Sequence, residues 1–144
     1  MRVLLDTNVM LDFLADRAPF AEAATGIISL AEEGKVEAFV AAHTITTLFY
    51  LLARDLGPEV ARFALLDIFD LVDVVAVDRQ RLLQALAMDC EDFEDAVQAV
   101  CAMAVEADYL VTRNPGDFPP IAPEVVLPEP FLVLYRQLPE EPNP

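Results

Sequence analysis

The feature that most constrains this chain is a regular alternation between short apolar runs and longer segments of helical periodicity. Two helical segments separate each apolar run from the next. Strands joined by connections of this length must cross over and lie parallel. We therefore predict a single three-layer α/β/α domain, in which a mainly parallel sheet of four to five strands lies between two layers of helices. The strand-type runs lie at residues 2–5, 36–42, 72–77 and 109–112.

The segments between the predicted strands carry signals that begin and end helices. Gly34 is placed to cap the end of the second helix, and Gly57 to stop the third. Pro58 follows at once and suits the first turn of a fourth helix. The clearest amphipathic pattern begins at Phe93 and leads into the strand at 109–112. These signals predict the element order β-α-α-β-α-α-β-α-α-β.

The C-terminal part of the chain differs in composition from the rest, because nine of the eleven prolines lie from Pro115 onward. The total length of 144 residues is close to the usual size of one domain. We predict one α/β domain over residues 1–127 and a Pro-rich tail over 128–144 that packs on it or extends from it. In this region we expect one short strand at 125–127, or a second one at 132–135.

The charge of the chain limits its partners. Acidic residues outnumber Lys and Arg by 25 to 9, which gives a formal net charge of −16. Such an excess repels nucleic acid and anionic membranes, and it argues against a DNA-coating protein. It does not exclude an enzyme that acts on nucleic acid, because a metal ion can neutralise an acidic site locally.

The chain shows no sign of a membrane segment or a secretory signal. Its longest apolar stretch, 41–53, is interrupted by polar side chains and is shorter than the roughly 20 residues that span a bilayer. Asp6 interrupts the apolar run at the N-terminus too early for a signal peptide. We expect a soluble, cytoplasmic protein that makes no membrane contact.

Acidic side chains follow the predicted strands. The segment "LLDTN" ends the first strand in Asp6, and Asp117 comes soon after the last strand, while Asp95 lies at the start of the preceding helix. Since the ends of parallel strands share one edge of the sheet, these three acids would converge there. Two carboxylates about 4 Å apart repel by roughly 4 kcal/mol at an effective dielectric constant of 20, so such a cluster needs raised pKa values or a cation.

The ligand types indicate which cation would suit this edge. Cys90 and Cys101 have no spacing typical of a zinc or iron-sulfur site. An all-oxygen site suits Mg²⁺ or Mn²⁺ better than zinc.

Each acid also has a purely structural interpretation. Asp92 could cap the helix that begins at Phe93, and Glu94 and Asp95 are first-turn acids of the kind that a helix dipole favours. Asp117 in "NPGDF" could be a turn residue. Asp6 is the hardest to explain in this way, because an aspartate at the end of a buried strand needs a partner or a task.

Three segments in order along the chain resemble the PIN domain family. They are "LLDTNVMLD" at the N-terminus, "DFEDA" at 92–96 and "YLVTRNPGDF" at 109–118. PIN domains form the metal-dependent ribonuclease fold of VapC-like toxins and of nucleases in RNA processing. The resemblance spans residues 2 to about 127, and it implies a parallel sheet with acids at its carboxyl edge that hold Mg²⁺ or Mn²⁺.

The resemblance also implies roles for individual residues. Asp6, Asp95 and Asp117 would be the catalytic, metal-binding acids. The supporting polar residues would be Asn8, Thr47, Asp92, Thr112 and Asn114, with Asn114 standing where many relatives carry another aspartate.

One position departs from the family pattern. Relatives usually carry an Asp or Glu in the helix after the second strand, and in "HTITTLFYLL" that position is Thr47. A threonine hydroxyl brings no charge, so the site would hold one anion fewer. His43 lies four residues earlier, and it could supply a polar or basic group if the helix extends that far, or simply be a partly buried residue at the helix start.

Three functions follow from this pattern. The first is Mg²⁺- or Mn²⁺-assisted hydrolysis of RNA phosphodiester bonds. The second is a PIN domain that has lost hydrolysis and acts as a binding or regulatory protein, as Thr47 and the charge would allow. The third is a phosphoryl-transfer domain with a nucleophilic aspartate, but that class needs a later lysine, and the only lysine is Lys35, before the second strand.

The protein partners that we expect are implied by the resemblance alone. PIN toxins commonly form homodimers and are silenced by a small antitoxin whose basic or aromatic side chains enter the acidic site. A net charge of −16 suits a basic partner. The apolar segment "FLVLY" at 131–135 could lie in such an interface or pack on the core.

Overall fold

The computed structural model describes residues 1–120 and 123–140. The strands are β1 (Arg2–Leu5), β2 (Glu37–Ala41), β3 (Asp73–Val75), β4 (Tyr109–Val111) and β5 (Glu124–Val126). The helices are α1 (Thr7–Leu14), α2 (Ala21–Glu32), α3 (Ala42–Leu56), α4 (Pro58–Phe69), α5 (Arg79–Leu86), α6 (Phe93–Ala104) and α7 (Pro128–Gln137), with one turn of 3-10 helix at Pro115–Asp117. The predicted element order is confirmed as far as β4.

The five strands form one sheet in the order β3-β2-β1-β4-β5, and every neighbouring pair is parallel. β1 is therefore the central strand, with β2 on one side and β4 on the other. The chain first builds the sheet outward from β1 through β2 and β3, and then returns to place β4 on the opposite side of β1. The point between β1 and β4 is where the order of the strands reverses.

Both faces of the sheet are covered by helices, as the apolar character of β1 requires. Side chains alternate along the strand, so Val3 and Leu5 join one hydrophobic cluster while Leu4 joins the other. The first cluster includes residues of α1 to α4 and α7, and the second packs α5 and α6 against the opposite face. The three-layer α/β/α prediction is confirmed. None of the helices in the described ranges combines the length and the apolar character needed to cross a bilayer.

The predicted strand at 132–135 is wrong, because this segment lies in helix α7. Pro128 stands at the first position of α7, where its fixed φ suits a helix start and its missing N–H costs nothing. Phe131 is fully buried and meets the ring of Tyr109 edge to face, at 5.7 Å between centroids. The short strand predicted at 125–127 is confirmed as β5. Residues 141–144 of the predicted tail lie outside the described residues.

A buried ion pair ties α1 to the segment that follows β4. Asp12 on α1 is 1% exposed, and one of its oxygens lies 2.8 Å from Nε of Arg113. Its other oxygen lies 3.4 Å from Nε of Arg17. Burial raises the pKa of Asp12, and the two guanidinium groups oppose that rise. The guanidinium of Arg113 also stacks 4.1 Å from the ring centroid of Phe20, so the start of the loop after β4 is held from both sides.

Candidate active site at the carboxyl edge of the sheet

A cleft of about 290 Å³ opens at the carboxyl edge of the sheet, beside the ends of β1 and β4. Open parallel sheets bind ligands at this kind of position, where the order of the strands reverses. The residues that line the cleft are Asp6, Thr7, Asn8, Thr47, Leu51, Asp92, Glu94, Asp95, Asn114 and Asp117. Every residue predicted for the site lies among them except Thr112, which is buried behind the cleft and contacts Asp6.

Asp6 is held by donors from three parts of the chain. Its Oδ1 accepts the N–H of Thr7 at 2.7 Å and Nε2 of Gln98 at 3.2 Å, and its Oδ2 accepts the hydroxyl of Thr112 at 2.7 Å. Burial nevertheless raises the pKa of Asp6, and the nearby Glu94 carboxylate adds to that rise. The hydrogen bonds from Thr112 and Thr7 oppose this rise in pKa. Asp6 is thus a buried carboxyl group whose orientation is fixed by its neighbours.

A buried polar cluster lies beneath Asp6, and the sequence patterns did not predict it. Thr7, Thr44 and Gln98 are all buried, and the hydroxyls of the two threonines lie 3.0 Å apart. Nε2 of Gln98 is 3.2 Å from each of these hydroxyls. The signal in the sequence is "AVQAVCA" at 96–102, where every residue is buried and Gln98 is the one strongly polar member. A fully buried amide inside an apolar helix needs partners, and here they include Asp6.

The start of α6 brings further acids to the cleft. Asp92 is the N-cap of α6, and its Oδ1 accepts the backbone N–H of Asp95 at 3.0 Å. The capping interpretation of Asp92 is therefore confirmed, although Asp92 also lines the cleft. The pKa of Asp95 is raised to about 7, first by burial and then by the charges of Asp92, Asp6, Asp117 and Glu94. Asp95 thus experiences the combined negative field of the site.

The loop after β4 supplies the remaining polar groups. Asn114 precedes the 3-10 turn, and its backbone N–H bonds the hydroxyl of Thr112 at 3.1 Å. Asp117 closes that turn through a backbone bond from its N–H to the carbonyl of Asn114 at 3.2 Å. Asp117 is therefore a turn residue, as the structural interpretation holds, and it also faces the cleft. Thr112 joins this loop to Asp6.

Helix α3 brings no acid to the cleft. Thr47 lines it from α3, and α3 begins at Ala42, so it does include His43. Nε2 of His43 lies 3.6 Å from Oε1 of Glu94 on α6. Burial lowers the pKa of His43, while Glu94 and Asp6 act in the opposite direction. His43 therefore lies beside the acids, as predicted for a helix that extends this far.

A second opening of about 420 Å³ adjoins the first and shares Asp92, Asp95 and Asp117 with it. Asp89 and Glu91 add two more acids on this side. The negative charge of the site therefore continues beyond the cleft along the same edge of the sheet.

The oxygen donors of the cleft suit a hard cation, but the carboxylates of the described residues do not lie close enough together to form a coordination shell as they stand. Within residues 1–120 and 123–140, no group of three or more His, Cys, Asp or Glu side chains stands close enough to hold a metal ion. All the charged groups that line the cleft are carboxylates, and four of them raise the pKa of Asp95 by their charge. Mg²⁺ commonly keeps several of its waters and takes only one or two carboxylates, so the donor set fits Mg²⁺ or Mn²⁺.

The fold and the cleft define the class of this protein as a three-layer α/β/α domain with an acidic cleft at the strand-order reversal of a parallel sheet. The chain belongs to the PIN domain family, because the sequence model of that family, described as PIN domain, matches residues 2–115. The resemblance in the three sequence segments is thereby confirmed. Asp6 and Asp95 fall inside the matched range, and Asp117 lies just beyond it.

Several solved structures share this fold. The DNA-bound VapBC from Salmonella typhimurium is 16% identical, with a TM-score of 0.68 over 87% of this chain and 96% of that chain. VapBC2 from Rickettsia felis, bound to a promoter DNA fragment, is 13% identical, with a TM-score of 0.66 over 88% and 97%. VapC20 from Mycobacterium tuberculosis, a Sarcin-Ricin loop cleaving toxin, is 15% identical, with a TM-score of 0.61 over 75% and 86%. No curated protein sequence matches the chain.

Proposed function

We propose that this protein is a Mg²⁺- or Mn²⁺-dependent endoribonuclease and the toxin of a toxin–antitoxin pair. The observation that carries the proposal is the presence of Asp6, Asp95 and Asp117 in one cleft of a PIN domain. The raised pKa of Asp95, about 7, supports it, because a crowded carboxyl group of this kind is stabilised by a cation. The likeness to VapC20, whose described activity is cleavage of the Sarcin-Ricin loop, favours RNA as the substrate.

Each residue of the cleft would have its own role in metal binding or hydrolysis. Asp6 and Asp95 would hold the metal ion, and Asp117 would orient a water or a second ion. When bound, the ion would stabilise the charge that develops on the phosphate oxygens during hydrolysis. Thr112 keeps Asp6 in place through its 2.7 Å hydrogen bond. The amide groups of Asn8 and Asn114 and the hydroxyl of Thr47 would hydrogen-bond water or the substrate, and Asp92 would keep Asp95 at the start of α6.

The test is cleavage of single-stranded and structured RNAs in the presence of Mn²⁺. Wild type, Asp6→Asn and Asp95→Asn would be compared with Asp70→Asn, a matched change of an exposed acid at the end of α4. We expect cleavage by wild type and by the Asp70 variant, and its loss in the other two. Equal cleavage by all four proteins, or none by any, would refute the proposal.

A second candidate function is favoured by Thr47. Because α3 contributes no charge to the cleft at that position, the protein could be a PIN domain that binds a partner without hydrolysing RNA. Calorimetric titration with Mn²⁺ separates the two functions. A chain that does not bind millimolar Mn²⁺, but does so after Thr47→Glu, is a binding protein rather than an enzyme.

The antitoxin of the proposed pair would be a small protein with a basic segment. The acidic cleft and the net charge of −16 suit such a segment, and several structures of similar fold are VapBC and FitAB complexes, which supports a protein partner. We propose that the pair acts in the cytoplasm. The DNA beside this gene should encode the partner, and the partner should abolish RNA cleavage when added in equimolar amount. An adjacent product that leaves cleavage unchanged would contradict this role.

We also propose that the protein forms a homodimer through α3 and α4. These helices expose large apolar side chains, with 66% of Tyr50, 72% of Phe63 and 65% of Leu66 open to solvent. Such a surface is typical of a face that another protein covers. Light scattering of wild type and Phe63→Glu tests this, since the dimer should dissociate in the variant. A wild-type monomer would contradict it.

A further inference from the structure

One residue that touches the site is neither acidic nor exposed to the cleft. Gln98 on α6 has no solvent exposure. Its Nε2 lies 3.2 Å from Oδ1 of Asp6, and equally close to the hydroxyls of Thr7 and Thr44. From α6 it therefore reaches the end of β1 and the starts of α1 and α3. No other side chain in the described ranges contacts Asp6 from α6 by a hydrogen bond.

The bonds to Asp6 restrict how its carboxylate can turn. A carboxylate offers about four acceptor positions. Two are taken by the 2.7 Å bonds from the Thr7 N–H and the Thr112 hydroxyl, and Gln98 donates to a third at 3.2 Å. Only the acceptor positions of the Asp6 carboxylate that these three donors leave unused can bind a cation. Gln98 acts on the same oxygen as the Thr7 N–H, so it sets the direction in which the rest of the carboxylate points.

The other half of the Gln98 amide is not satisfied. Its Oε1 is buried and accepts no hydrogen bond from any residue that the structure describes. A buried amide oxygen without a donor destabilises a fold, and an apolar side chain of similar size would avoid this cost. Thr7 and Thr44 would still bond each other at 3.0 Å if Gln98 were apolar. The contacts of Gln98 therefore lie on its Nε2 side, which faces Asp6, Thr7 and Thr44.

We propose that Gln98 is a positioning residue for Asp6, and that the N–H it donates to Oδ1 holds the carboxylate in the orientation that binds Mg²⁺ or Mn²⁺. This inference rests on the proposed function. A neutral donor is suited to this task because it supports the ionised form of Asp6 without adding charge. Glutamate at this position would present an oxygen to Asp6 and increase the negative charge of the site, whereas methionine would fill the space and donate nothing.

The test compares metal affinity with stability in the full chain. Mn²⁺ is titrated calorimetrically at pH 8 into wild type, Gln98→Met and Asp6→Asn, with Gln84→Met on the exposed face of α5 as the matched control. We expect Gln98→Met to bind Mn²⁺ about 10- to 100-fold more weakly, the range typical when a side chain that orients a metal ligand is removed. Its thermal midpoint should fall, because a buried carboxylate loses a donor, so the affinity for Mn²⁺ is the deciding measurement. The control should match wild type in affinity.

A merely structural role for Gln98 predicts a lower midpoint with no change in metal binding. The affinity of Gln98→Met for Mn²⁺ would then stay within twofold of wild type, and this outcome overturns the proposal. If Asp6→Asn binds Mn²⁺ as tightly as wild type, the proposed function fails at its metal site.

A second measurement does not depend on metal. The Thr7 N–H donates to Oδ1 of Asp6, the oxygen that Gln98 also contacts. In metal-free protein, loss of the Gln98 donor should shift the Thr7 amide proton upfield and speed its exchange with solvent, while Gln84→Met leaves both unchanged. If wild type binds no Mn²⁺, this signal still decides the matter, because an unchanged Thr7 amide in Gln98→Met rules out positioning of Asp6.

Discussion

Replacing Asp95 by asparagine should stabilise the metal-free protein at alkaline pH. The pKa of Asp95 is raised from an ordinary 3.8 to about 7, chiefly by burial and then by Asp92. Between these two values the folded protein binds more protons than the unfolded chain, so stability falls as pH rises from about 4 to about 7. Above pH 7 that contribution has been lost. Asparagine does not titrate, keeps the shape of the side chain and removes the repulsion.

The size of the effect follows from the two pKa values. Each pH unit between 3.8 and about 7 corresponds to about 1.4 kcal/mol, so the whole interval corresponds to about 4 kcal/mol. Asp95 is partly exposed, so water and salt screen its charge, and we take about half of that figure. The expected gain for Asp95→Asn is therefore about 2 kcal/mol at pH 8 and close to zero at pH 4.

Urea denaturation in EDTA between pH 4 and pH 8 measures this gain directly. The difference between Asp95→Asn and wild type reports Asp95 together with its coupling to the neighbouring acids. Asp70→Asn serves as the control and should show no such pH dependence. Saturating Mn²⁺ should reverse the order, since binding to the native state stabilises wild type and not the variant. A variant that is less stable than wild type in EDTA at pH 8 would refute the reasoning.

Three further predictions concern single side chains. Thr112→Val removes the hydroxyl that bonds Asp6 at 2.7 Å, so urea denaturation should show a loss of about 1.5–3 kcal/mol at pH 8; an unchanged stability would mean that this bond contributes nothing. Phe131→Ala should cost about 3–5 kcal/mol, because its ring is fully buried against the core, and a loss below 1 kcal/mol would show that α7 is dispensable. Thr47→Glu should tighten Mn²⁺ binding by at least tenfold in calorimetry, because it adds a carboxylate to the cleft; unchanged affinity would show that α3 does not face the ion.

Much of the fold could be predicted because it depends on periodicity and on a few end signals. Strand runs and paired helical segments predicted a parallel sheet, and Gly57 and Pro58 marked the break between α3 and α4. The predicted convergence of Asp6, Asp95 and Asp117 followed from one general property of parallel sheets, namely that strand ends share an edge. Observed strand ends differ from the predicted ones by up to two residues.

Two features of the structure were not predicted from the sequence, and both have physical causes. Residues 132–135 form a short apolar run whose period does not distinguish strand from helix, and the packing of Phe131, on α7, in the core decides the matter. The cluster of Thr7, Thr44 and Gln98 joins residues up to 91 positions apart, so no local pattern reveals it. A buried glutamine in an apolar helix signals that a partner exists, but not which one.

The central position of β1 also sets when the site can form. β1 pairs with β4, and Asp6 and Thr112 lie 106 residues apart in the sequence. Asp6 therefore meets Thr112 only after the long loop between them has closed. Closing so long a loop is slow and carries a large entropic cost, which the remaining contacts of the fold must offset. During synthesis, Asp6 emerges first and Asp117 among the last of the site residues. A growing or truncated chain would therefore carry the acids without the cleft, and the assembled cleft would be one of the last features that the chain acquires.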